Sequence, residues 1–267
     1  SGVVVASSRS PFETAFAAMD LDRISDGRFV LGMGCSLPAT TMGMHGLPKL
    51  KLMSHLRDTM AAVRHIIAGS HTGLKPYDGL YYKADYQEMI KTAPPVRERV
   101  PIWIGAMREN MTKLGLEQGD GLLAHSLWTK RYNKEIIEPL IDRSLSEFNR
   151  QREDIEISCW PWVAINDNRE QALNDARPTV AYYAGMKAYE DLFALHGYLD
   201  IAKKCQAAAL RQNDLQSVLH EVTDEMVLDF VCCGNVDEVL EQIEPFWDVA
   251  TSLCPMVPFV GLSLEQM

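Results

Sequence analysis

The segment Leu21-Asp22-Arg23-Ile24-Ser25-Asp26-Gly27-Arg28-Phe29-Val30-Leu31-Gly32-Met33-Gly34 decides the fold, because a helix ends and a strand begins within it. Upstream, apolar residues recur with the period of an α-helix, which predicts an amphipathic helix over residues 11–24 packed on a sheet. Pro11 suits the first helical position, and Gly27 can adopt the positive φ that ends a helix. The apolar run over residues 28–33 is too short for a helix and ends at glycine, so it predicts a buried strand.

The two glycines that end this strand invite comparison with dinucleotide-binding loops. Such loops carry a third glycine, which lets the backbone approach a pyrophosphate at the start of a helix. Here Leu37 stands at the third position, and Pro38 follows it. The spacing Gly32-x-Gly34 therefore does not favour a Rossmann fold.

Composition limits the class of protein. The chain has 267 residues, of which 47% are hydrophobic, enough for the core of one large globular domain. Its net charge of -10 argues against a nucleic-acid groove or an anionic membrane surface as a partner. No apolar run approaches the roughly 20 residues that span a bilayer, and the first residues lack the pattern of a signal peptide. We therefore expect a cytoplasmic protein.

The cysteines show no C-x-x-C pair, and the chain is too large to need disulfides for stability. We expect reduced thiols, mostly buried. The adjacent Cys232 and Cys233 cannot easily close a disulfide, so we expect them to fill an apolar segment before a helix cap at Asn235.

Two ordered motifs resemble the luciferase-like family of flavin- and deazaflavin-dependent oxidoreductases. Residues 21–34 match the family's helix ending "LD-x-x-S-x-GR" and its strand "GRF-x-LG-x-G". A second block is similar to the family's "P-I-x-I-A-A", a methionine and "A-D-G"; it comprises Pro101-Ile102-Trp103-Ile104-Gly105-Ala106, Met111 and Gly119-Asp120-Gly121. The resemblance covers nearly the whole chain and implies an α/β fold, a TIM-type (β/α)8 barrel.

Six segments have the apolar character of buried strands: residues 2–6, 28–33, 101–105, 121–124, 155–165 and 256–261. A closed barrel of this type has eight strands. In the family, the segment before "R-x-P" is the third strand, so Arg9 and Pro11 place the first residue of this chain at strand three. The resemblance therefore implies one barrel domain over residues 1–267, incomplete at its N-terminus. Such a chain is either a fragment or is completed by a second copy in a homo-oligomer.

Helical spacing and capping boxes predict the remaining helices. They are expected over residues 54–68, 110–118 and 131–149, from an Asp167/Glu170 capping box to Tyr183, and from an Asn235/Glu238 capping box to Trp247. Two segments stand outside the strand–helix alternation. Residues 70–99 resemble the family's insertion over the barrel mouth, and residues 186–226 form a second, helical insertion.

The loop after strand 101–105 is the first candidate site. It leads into a helix whose free N–H groups favour an anion, and Arg108 adds a guanidinium suited to phosphate. The resemblance implies that Gly105, Ala106, Met107 and Arg108 hold the phosphate of a cofactor, with Met107 and Arg108 in place of the family's commoner Gly-Pro. The alternative is a plain turn with a solvated arginine.

Two further strand ends are candidates for binding the cofactor ring. Gly32, Gly34 and Ser36 are small enough for a flat ring to lie close to the backbone, although tight strand-to-helix packing explains them equally well. Val3 and Val4 fall where the family bulges its third strand behind the flavin ring. That assignment rests on the resemblance, and its alternative is a place in the core.

His125 directly follows a strand, at the end where catalytic groups of such barrels gather, and is the best candidate for acid/base catalysis. A neutral histidine lining the mouth is the alternative. We expect His45 to be a weaker candidate in a mobile loop, and the others to be surface groups: His55, His65, His71, His196 and His220. None pairs at metal-ligand spacing, so we predict no metal.

Aromatic residues recur near the second insertion: Tyr182, Tyr183, Tyr189, Phe193 and Tyr198. They form either the roof of a substrate pocket or, as such spacing more often indicates, part of a helical core.

The resemblance implies a flavin- or deazaflavin-dependent oxidoreductase that performs hydride transfer or monooxygenation on a small organic substrate. Four patterns look most like a branch that uses F420, with FMN as the alternative: Arg9-Ser10-Pro11, "GMHGLP" at residues 43–48, "H-x-x-x-T-x-x-Y" at residues 125–132, and Leu195-His196-Gly197. The acidic tail of F420 would favour basic residues at the mouth, namely Lys49, Lys51 and Arg108. Rival interpretations are a non-catalytic flavin-binding or inactive truncated barrel, and a metal-dependent hydrolase, which the lack of clustered His and Asp disfavours.

Overall fold

The computed structural model describes residues 2–210 and 214–262 of the chain. The described strands are β1 (Val4–Val5), β2 (Leu31–Gly34), β3 (Tyr77–Asp78), β4 (Lys83–Ala84), β5 (Ile102–Ala106), β6 (Gly121–Ala124), β7 (Glu156–Cys159), β8 (Trp162–Ile165), β9 (Val231–Gly234) and β10 (Ser252–Leu253). The described α-helices are α1 (Pro11–Ile24), α2 (Pro38–Gly43), α3 (Leu52–Gly69), α4 (Glu109–Gln118), α5 (Lys130–Tyr132), α6 (Glu138–Glu147), α7 (Arg169–Ala184), α8 (Glu190–Leu195), α9 (Leu199–Leu210), α10 (Asp224–Phe230) and α11 (Val236–Ile243). Strands and helices alternate along the chain, so the predicted α/β class is confirmed.

The chain divides into two compact units. The first comprises Ser1–Leu123 and Ser144–Glu156, and the second comprises Ala124–Arg143 and Ile157–Met267, as far as these ranges are described. None of the helices in the described part of the chain is long and apolar enough to cross a membrane.

In the first unit, β1, β2, β5 and β6 lie side by side in that order. β1 and β2 are parallel with Val4 opposite Met33, and β2 and β5 are parallel with Met33 opposite Ile104. Met33 and Ile104 are completely buried, as expected for a parallel sheet covered by helices. Helices α1 and α3 pack against each other.

Helix α1 has the bounds that the sequence predicts. The Ser10 hydroxyl accepts a hydrogen bond from the N–H of Glu13, whose carboxylate accepts one from the N–H of Ser10, and this reciprocal pair caps the helix. Pro11 occupies the first helical position. The chain then turns through Asp26 and Gly27, whose φ angles are 53° and 74°. Glycine adopts such positive φ values at no steric cost, which explains the sharp end of the helix.

Strand β2 begins at Leu31, three residues later than predicted. Residues 28–30 complete the turn instead: Arg28 Nε donates to the carbonyl of Ser25 at 2.8 Å, and the carbonyl of Phe29 accepts from Arg97 at 2.6 Å. Apolar character alone therefore overestimated the length of this strand.

Residues 70–99, for which the resemblance implies a cover over the barrel mouth, contact helices α1 and α3. Asp58 of α3 organises the β3–β4 hairpin: its carboxylate accepts hydrogen bonds from the Tyr77 hydroxyl at 2.8 Å and from the N–H groups of Tyr81 and Tyr82 at 2.6 and 3.0 Å. These bonds, above all the one from the Tyr81 N–H, outweigh the cost of burial and lower the pKa of Asp58. The hairpin is thus fixed to α3 by a buried carboxylate.

The same segment is tied to α1 at two points. Asp22, which is 1% exposed, pairs with Arg97, and the ring of Phe12 stacks on that of Tyr86 with centroids 6.3 Å apart. A buried carboxylate without this arginine would carry a large desolvation cost. The Asp22–Arg97 pair therefore fixes the end of the segment to the end of α1.

In the second unit, the predicted strand over residues 155–165 is divided in two. β7 pairs in parallel with β10, and β8 pairs in parallel with β9. The interruption falls at Trp160 and Pro161, because proline has no N–H to donate and restricts the residue before it.

The predicted strand over residues 256–261 is wrong. Strand β10 lies earlier in the chain, and Met256 makes only an isolated bridge with Trp162. Cys232 and Cys233, expected to fill a segment before the Asn235 cap, form β9, and both are buried. All six cysteines are free thiols, as predicted, and four of them are buried.

Two helix predictions need correction. The predicted helix over residues 131–149 consists of α5, a π-helix at Asn133–Ile137 and α6. The cap of α7 is Asn168, one residue after the predicted Asp167, and its side chain accepts from the N–H groups of Glu170 and Gln171. The Asn235/Glu238 capping box of α11 is confirmed.

Candidate active site

The ends of β1, β2 and β5 form the first candidate region, in the first unit. The side chain of Val3 lies against two glycines: a Cβ atom built at Gly34 would stand 3.4 Å from Val3 Cγ2, and one at Gly105 would stand 3.1 Å from Val3 Cγ1. The peptide bond between Gly2 and Val3 is cis. Val4 follows within β1 and is half-buried. The structure thus brings together three predicted site residues, and the approach of Val3 is tight at Gly105 and an ordinary van der Waals contact at Gly34.

Gly32 and Ser36 lie in different surroundings. Gly32 is buried within β2, opposite Trp103 of β5, whereas Ser36 is exposed and has a φ of 59°. Between them, the Cys35 thiol donates to the carbonyl of Leu52 at 3.4 Å. Burial raises the pKa of Cys35 to about 11, so this thiol is protonated at neutral pH. Gly32 is therefore part of the packed sheet, and only Ser36 of this pair faces solvent.

The predicted phosphate loop changes from buried to exposed along its length. Ala106 is buried, Met107 is half-buried and Arg108 is exposed. Arg108 caps α4 with extended backbone, at φ -117° and ψ 164°, and its side chain does not accept from the first turn. The N–H groups of that turn favour an anion, although the acidic Glu109 in the same turn reduces this attraction.

His125 follows β6 and belongs to the second unit. Its Nδ1 accepts a hydrogen bond from the N–H of Leu127 at 3.1 Å, and its carbonyl accepts one from the N–H of Trp128 at 2.8 Å. An accepting Nδ1 carries no proton, so the proton of the neutral ring is assigned to Nε2. Burial lowers the pKa of His125 to about 4. At neutral pH the imidazole is therefore an uncharged hydrogen-bond donor.

His196, expected at the surface, has a side chain that is only 3% exposed. Its Nε2 lies 2.9 Å from Oγ1 of Thr129, and its Nδ1 lies 3.6 Å from a carboxylate oxygen of Asp229. Burial lowers the pKa of His196, and the nearby Asp229 partly offsets this effect. The Tyr198 hydroxyl donates to Asp229 at 2.7 Å. These bonds attach the loop that follows His125 to the helical segment of residues 186–226.

The predicted aromatic set divides between rings that surround His125 and a ring in the core. The rings of Tyr183 and Tyr189 lie 5.7 and 5.4 Å from that of His125. Phe193, by contrast, is completely buried and stacks on Phe230 with centroids 4.5 Å apart.

Of the other histidines expected at the surface, His55 differs from the prediction and His220 agrees with it. His55 is buried, and its Nε2 lies 2.8 Å from the Tyr82 hydroxyl, while His65 Nε2 lies 2.8 Å from the carbonyl of Lys75. His45 and His220 are exposed. Across residues 2–210 and 214–262, no three metal-binding side chains cluster.

The sequence did not identify His196 and Asp229 as a pair. Leu195-His196-Gly197 was noted only as a mark of one family branch, and its role depends on Thr129, which lies 67 residues earlier. The apolar neighbours of His196 in the chain were the one local sign of burial.

The comparisons define the class. A family model described as luciferase-like monooxygenase matches residues 1–250, and the chain therefore belongs to this family of oxidoreductases. The resemblance inferred from the two motifs is confirmed.

Two relatives are similar over most of the chain. A putative coenzyme F420-dependent oxidoreductase of Mycobacterium tuberculosis is 28% identical, and the match covers 99% of this chain and 79% of the relative. A 5,10-methylenetetrahydromethanopterin reductase of Archaeoglobus fulgidus is also 28% identical, over 88% of this chain and 68% of the relative.

A solved structure supports the fold. The coenzyme F420-dependent tetrahydromethanopterin reductase of Methanopyrus kandleri superposes with a TM-score of 0.82 at 22% identity, covering 99% of this chain and 78% of that one. The predicted kinship with the barrels of this family is confirmed.

Proposed function

We propose that this protein is an F420-dependent oxidoreductase that transfers hydride between the deazaflavin and a small organic substrate. F420 is placed first because the M. tuberculosis relative and the M. kandleri structure are both named as dependent on it. FMN-dependent monooxygenation is the second candidate, because the family model is described by its monooxygenases.

The contact of Val3 with Gly34 and Gly105 carries this proposal. Val3 is 43% exposed, so part of its side chain is available to a ring, while the rest is seated on the two glycines. A side chain larger than hydrogen at position 105 would press on Val3 and displace it. In the proposed site, Val3 forms the wall behind the cofactor ring, and the glycines keep that wall in place.

The chemistry of the donors also fits a phosphorylated cofactor. After Gly105 the chain enters α4, whose first N–H groups are donors, and Arg108 adds a cation at the same helix end. Glu109 lies in the same turn, so the arginine is the residue that makes this end attractive to an anion.

His125 is proposed to act on the substrate as a neutral donor. When bound, F420 supplies the hydride chemistry through its tricyclic ring. Negative charge develops on a carbonyl oxygen that receives hydride at its carbon, and a preorganised N–H group stabilises that charge. Because Nδ1 is occupied by the Leu127 N–H, the hydrogen bond to the oxygen comes from Nε2.

Charge reversal at the phosphate loop tests the proposal. Oxidised F420 is titrated, by its fluorescence, with the native chain, with Arg108→Glu and with Arg143→Glu. Arg143 is exposed on α6 and gives a control with the same change in charge. Arg108→Glu should weaken binding at least about tenfold, since a hydrogen bond to a charged group contributes about 1.5–3 kcal/mol. No binding by the native chain, or equal weakening in both variants, would contradict the proposal.

A further inference from the structure

Tyr183 stands at the centre of a cluster of rings in the second unit. Five ring centroids lie around its own: Trp162 at 4.7 Å, Tyr182 at 5.5 Å, Tyr189 at 5.5 Å, His125 at 5.7 Å and Phe259 at 6.3 Å. Most of these contacts are steeply inclined, with interplanar angles of 76° to His125, 85° to Tyr182 and 82° to Phe259. Edge-to-face contacts of this kind leave the ring faces at an angle to one another.

Exposure changes across this aromatic cluster. Trp162 is 2% exposed, Tyr182 and Tyr183 are half-buried, and Phe259 is 48% exposed. Exposure thus rises from Trp162 to Phe259, so this aromatic cluster reaches the protein surface at Phe259 and is accessible to a ligand there.

Among residues 2–210 and 214–262, neither the Tyr183 hydroxyl nor Nε2 of His125 has a hydrogen-bond partner, and neither atom is completely buried. Burial, followed by the neighbouring Tyr189 and Tyr182, raises the pKa of Tyr183 to about 12, while burial lowers the pKa of His125 to about 4. Both groups are uncharged at neutral pH. Burial causes both pKa shifts, neighbouring tyrosines add to that of Tyr183, and no charged side chain contributes to either of them.

Two other aromatic residues nearby in the sequence have a purely structural role. The Tyr198 hydroxyl donates to Asp229, and Phe193 is buried against Phe230. Each has its contacts complete within the chain. Tyr183 differs from both, because its ring is packed while its hydroxyl is left to bond something else.

We infer that the aromatic cluster around Tyr183 binds the substrate, and that this substrate is an uncharged compound with an aromatic or alicyclic ring and a carbonyl or hydroxyl oxygen. The inference rests on the proposed function and names the substrate class for it. The Tyr183 hydroxyl and His125 Nε2 donate to the oxygen, and the inclined rings contact the apolar body.

The absence of a fixed charge among these groups sets the specificity. A carboxylate or an ammonium group would lose water among these rings and gain no ion pair from the residues of the cluster, at a cost larger than the gain from ring contacts. A ketone loses little solvation, and its oxygen receives the hydrogen bonds that the two donors lack. Uncharged compounds are therefore preferred over charged compounds of the same shape.

Two probes of equal shape and different charge test the inference: acetophenone and benzoate. Binding of each to the whole chain is followed by saturation-transfer NMR without cofactor, with native protein, Tyr183→Phe, His125→Asn and Tyr86→Phe. Tyr86 lies in the first unit and is the control for loss of a hydroxyl. Thermal unfolding of each variant is recorded, and the conservative Tyr183→Phe keeps the ring contacts if folding proves sensitive to other changes.

Acetophenone should bind, and benzoate should bind at least about tenfold more weakly. Tyr183→Phe and His125→Asn should each weaken acetophenone binding by about three- to tenfold, with Tyr86→Phe unchanged. Equal binding of the two probes, or equal effects of Tyr183→Phe and Tyr86→Phe, would overturn the inference. The readout needs no cofactor. Acetophenone binding in a chain that fails to bind F420 would thus support the pocket while contradicting the proposed function.

Discussion

The Nε2 atom of His196 lies 2.9 Å from Oγ1 of Thr129, and the same hydroxyl oxygen accepts a hydrogen bond from the N–H of Tyr132, the last residue of α5. The carboxylate of Asp229 faces the other ring nitrogen of His196, which favours the tautomer with its proton on Nδ1. In that tautomer the threonine hydroxyl donates to the histidine and accepts from the backbone. One side chain therefore caps a helix and anchors the loop that carries His125.

Substitution of Thr129 should lower the free energy of unfolding by more than the loss of a helix cap alone. Thr223 caps α10 by accepting the N–H of Met226 at 3.2 Å, so Thr223→Val is the matched control. Thr223→Val should lower the free energy of unfolding by about 0.5–2 kcal/mol. Thr129→Val should lower the free energy of unfolding by about 1 kcal/mol more than Thr223→Val does, because His196 also loses its hydrogen-bond partner.

A double-mutant cycle of Thr129→Val with His196→Phe separates the cap from the contact. Urea unfolding gives the loss of unfolding free energy in each variant. The loss in the double variant should be smaller than the sum of the losses in the two single variants, because both changes remove the same hydrogen bond. Strict additivity would show that the contact between the two residues contributes nothing.

Adding a methyl group at position 105 should weaken cofactor binding through Val3. The new Cβ would stand 3.1 Å from Val3 Cγ1, so the valine has to move toward the space assigned to the ring. We expect Gly105→Ala to weaken F420 binding by about 1 kcal/mol, roughly fivefold in Kd. Gly43→Ala is the control, because no atom lies within 4 Å of its built Cβ.

Shortening Val3 tests whether the effect passes through this contact. In the double variant Val3→Ala with Gly105→Ala, the lost methyl groups make room for the new one, and part of the affinity should return. If the double variant binds F420 more weakly than either single variant, Val3 and Gly105 act independently and the described contact is not the cause.

NMR should find His125 uncharged well below neutral pH. Its Nδ1 is occupied by the Leu127 N–H, and burial places its pKa at about 4. Nitrogen-15 shifts of the ring, assigned with His125→Asn, should report the tautomer protonated on Nε2 between about pH 5 and pH 8. A titration midpoint near 6.5 would contradict the proposed role as a neutral donor.

The same histidine should make the protein less stable in acid. The folded pKa of about 4 lies below the ordinary value of 6.5, so the unfolded chain takes up the proton first as pH falls. The contribution of the neutral His125 to the free energy of unfolding is fully present above about pH 6.5, and it is lost as the pH falls from 6.5 to about 4. His125→Asn should flatten the fall in unfolding free energy across this window, and His196, whose pKa is also lowered, should leave a residual slope. An unchanged slope in His125→Asn would contradict the burial of a neutral imidazole.

The sequence predicted those helix ends that are determined by residues close to them in the chain, such as capping residues, proline and glycine. Pro11 and Gly27 predicted the two ends of α1, and the Asn235/Glu238 capping box predicted the start of α11. Strand β9 was missed because its four residues lie between a helix and a cap, too few for periodicity to distinguish a strand. The predicted strand over residues 256–261 failed because an apolar run does not specify a pairing partner.

The candidate site could be predicted only where residues act close to their position in the chain. Gly105 and Gly34 were identified from their strand ends, yet the approach of Val3, which is tightest at Gly105, was not predicted, because no spacing pattern connects Val3 to them. His196 was misassigned to the surface because its partners Thr129 and Asp229 are distant in sequence. Partnerships of this kind depend on tertiary packing.

We expect this chain to bind F420 in preference to FMN, and the most direct test is one pair of titrations. The native protein is titrated into oxidised F420 and, separately, into FMN at the same concentration and ionic strength, and the change in cofactor fluorescence gives each Kd. The account predicts saturable binding of F420 with a Kd lower than that of FMN. Tight binding of FMN with none of F420 would contradict it.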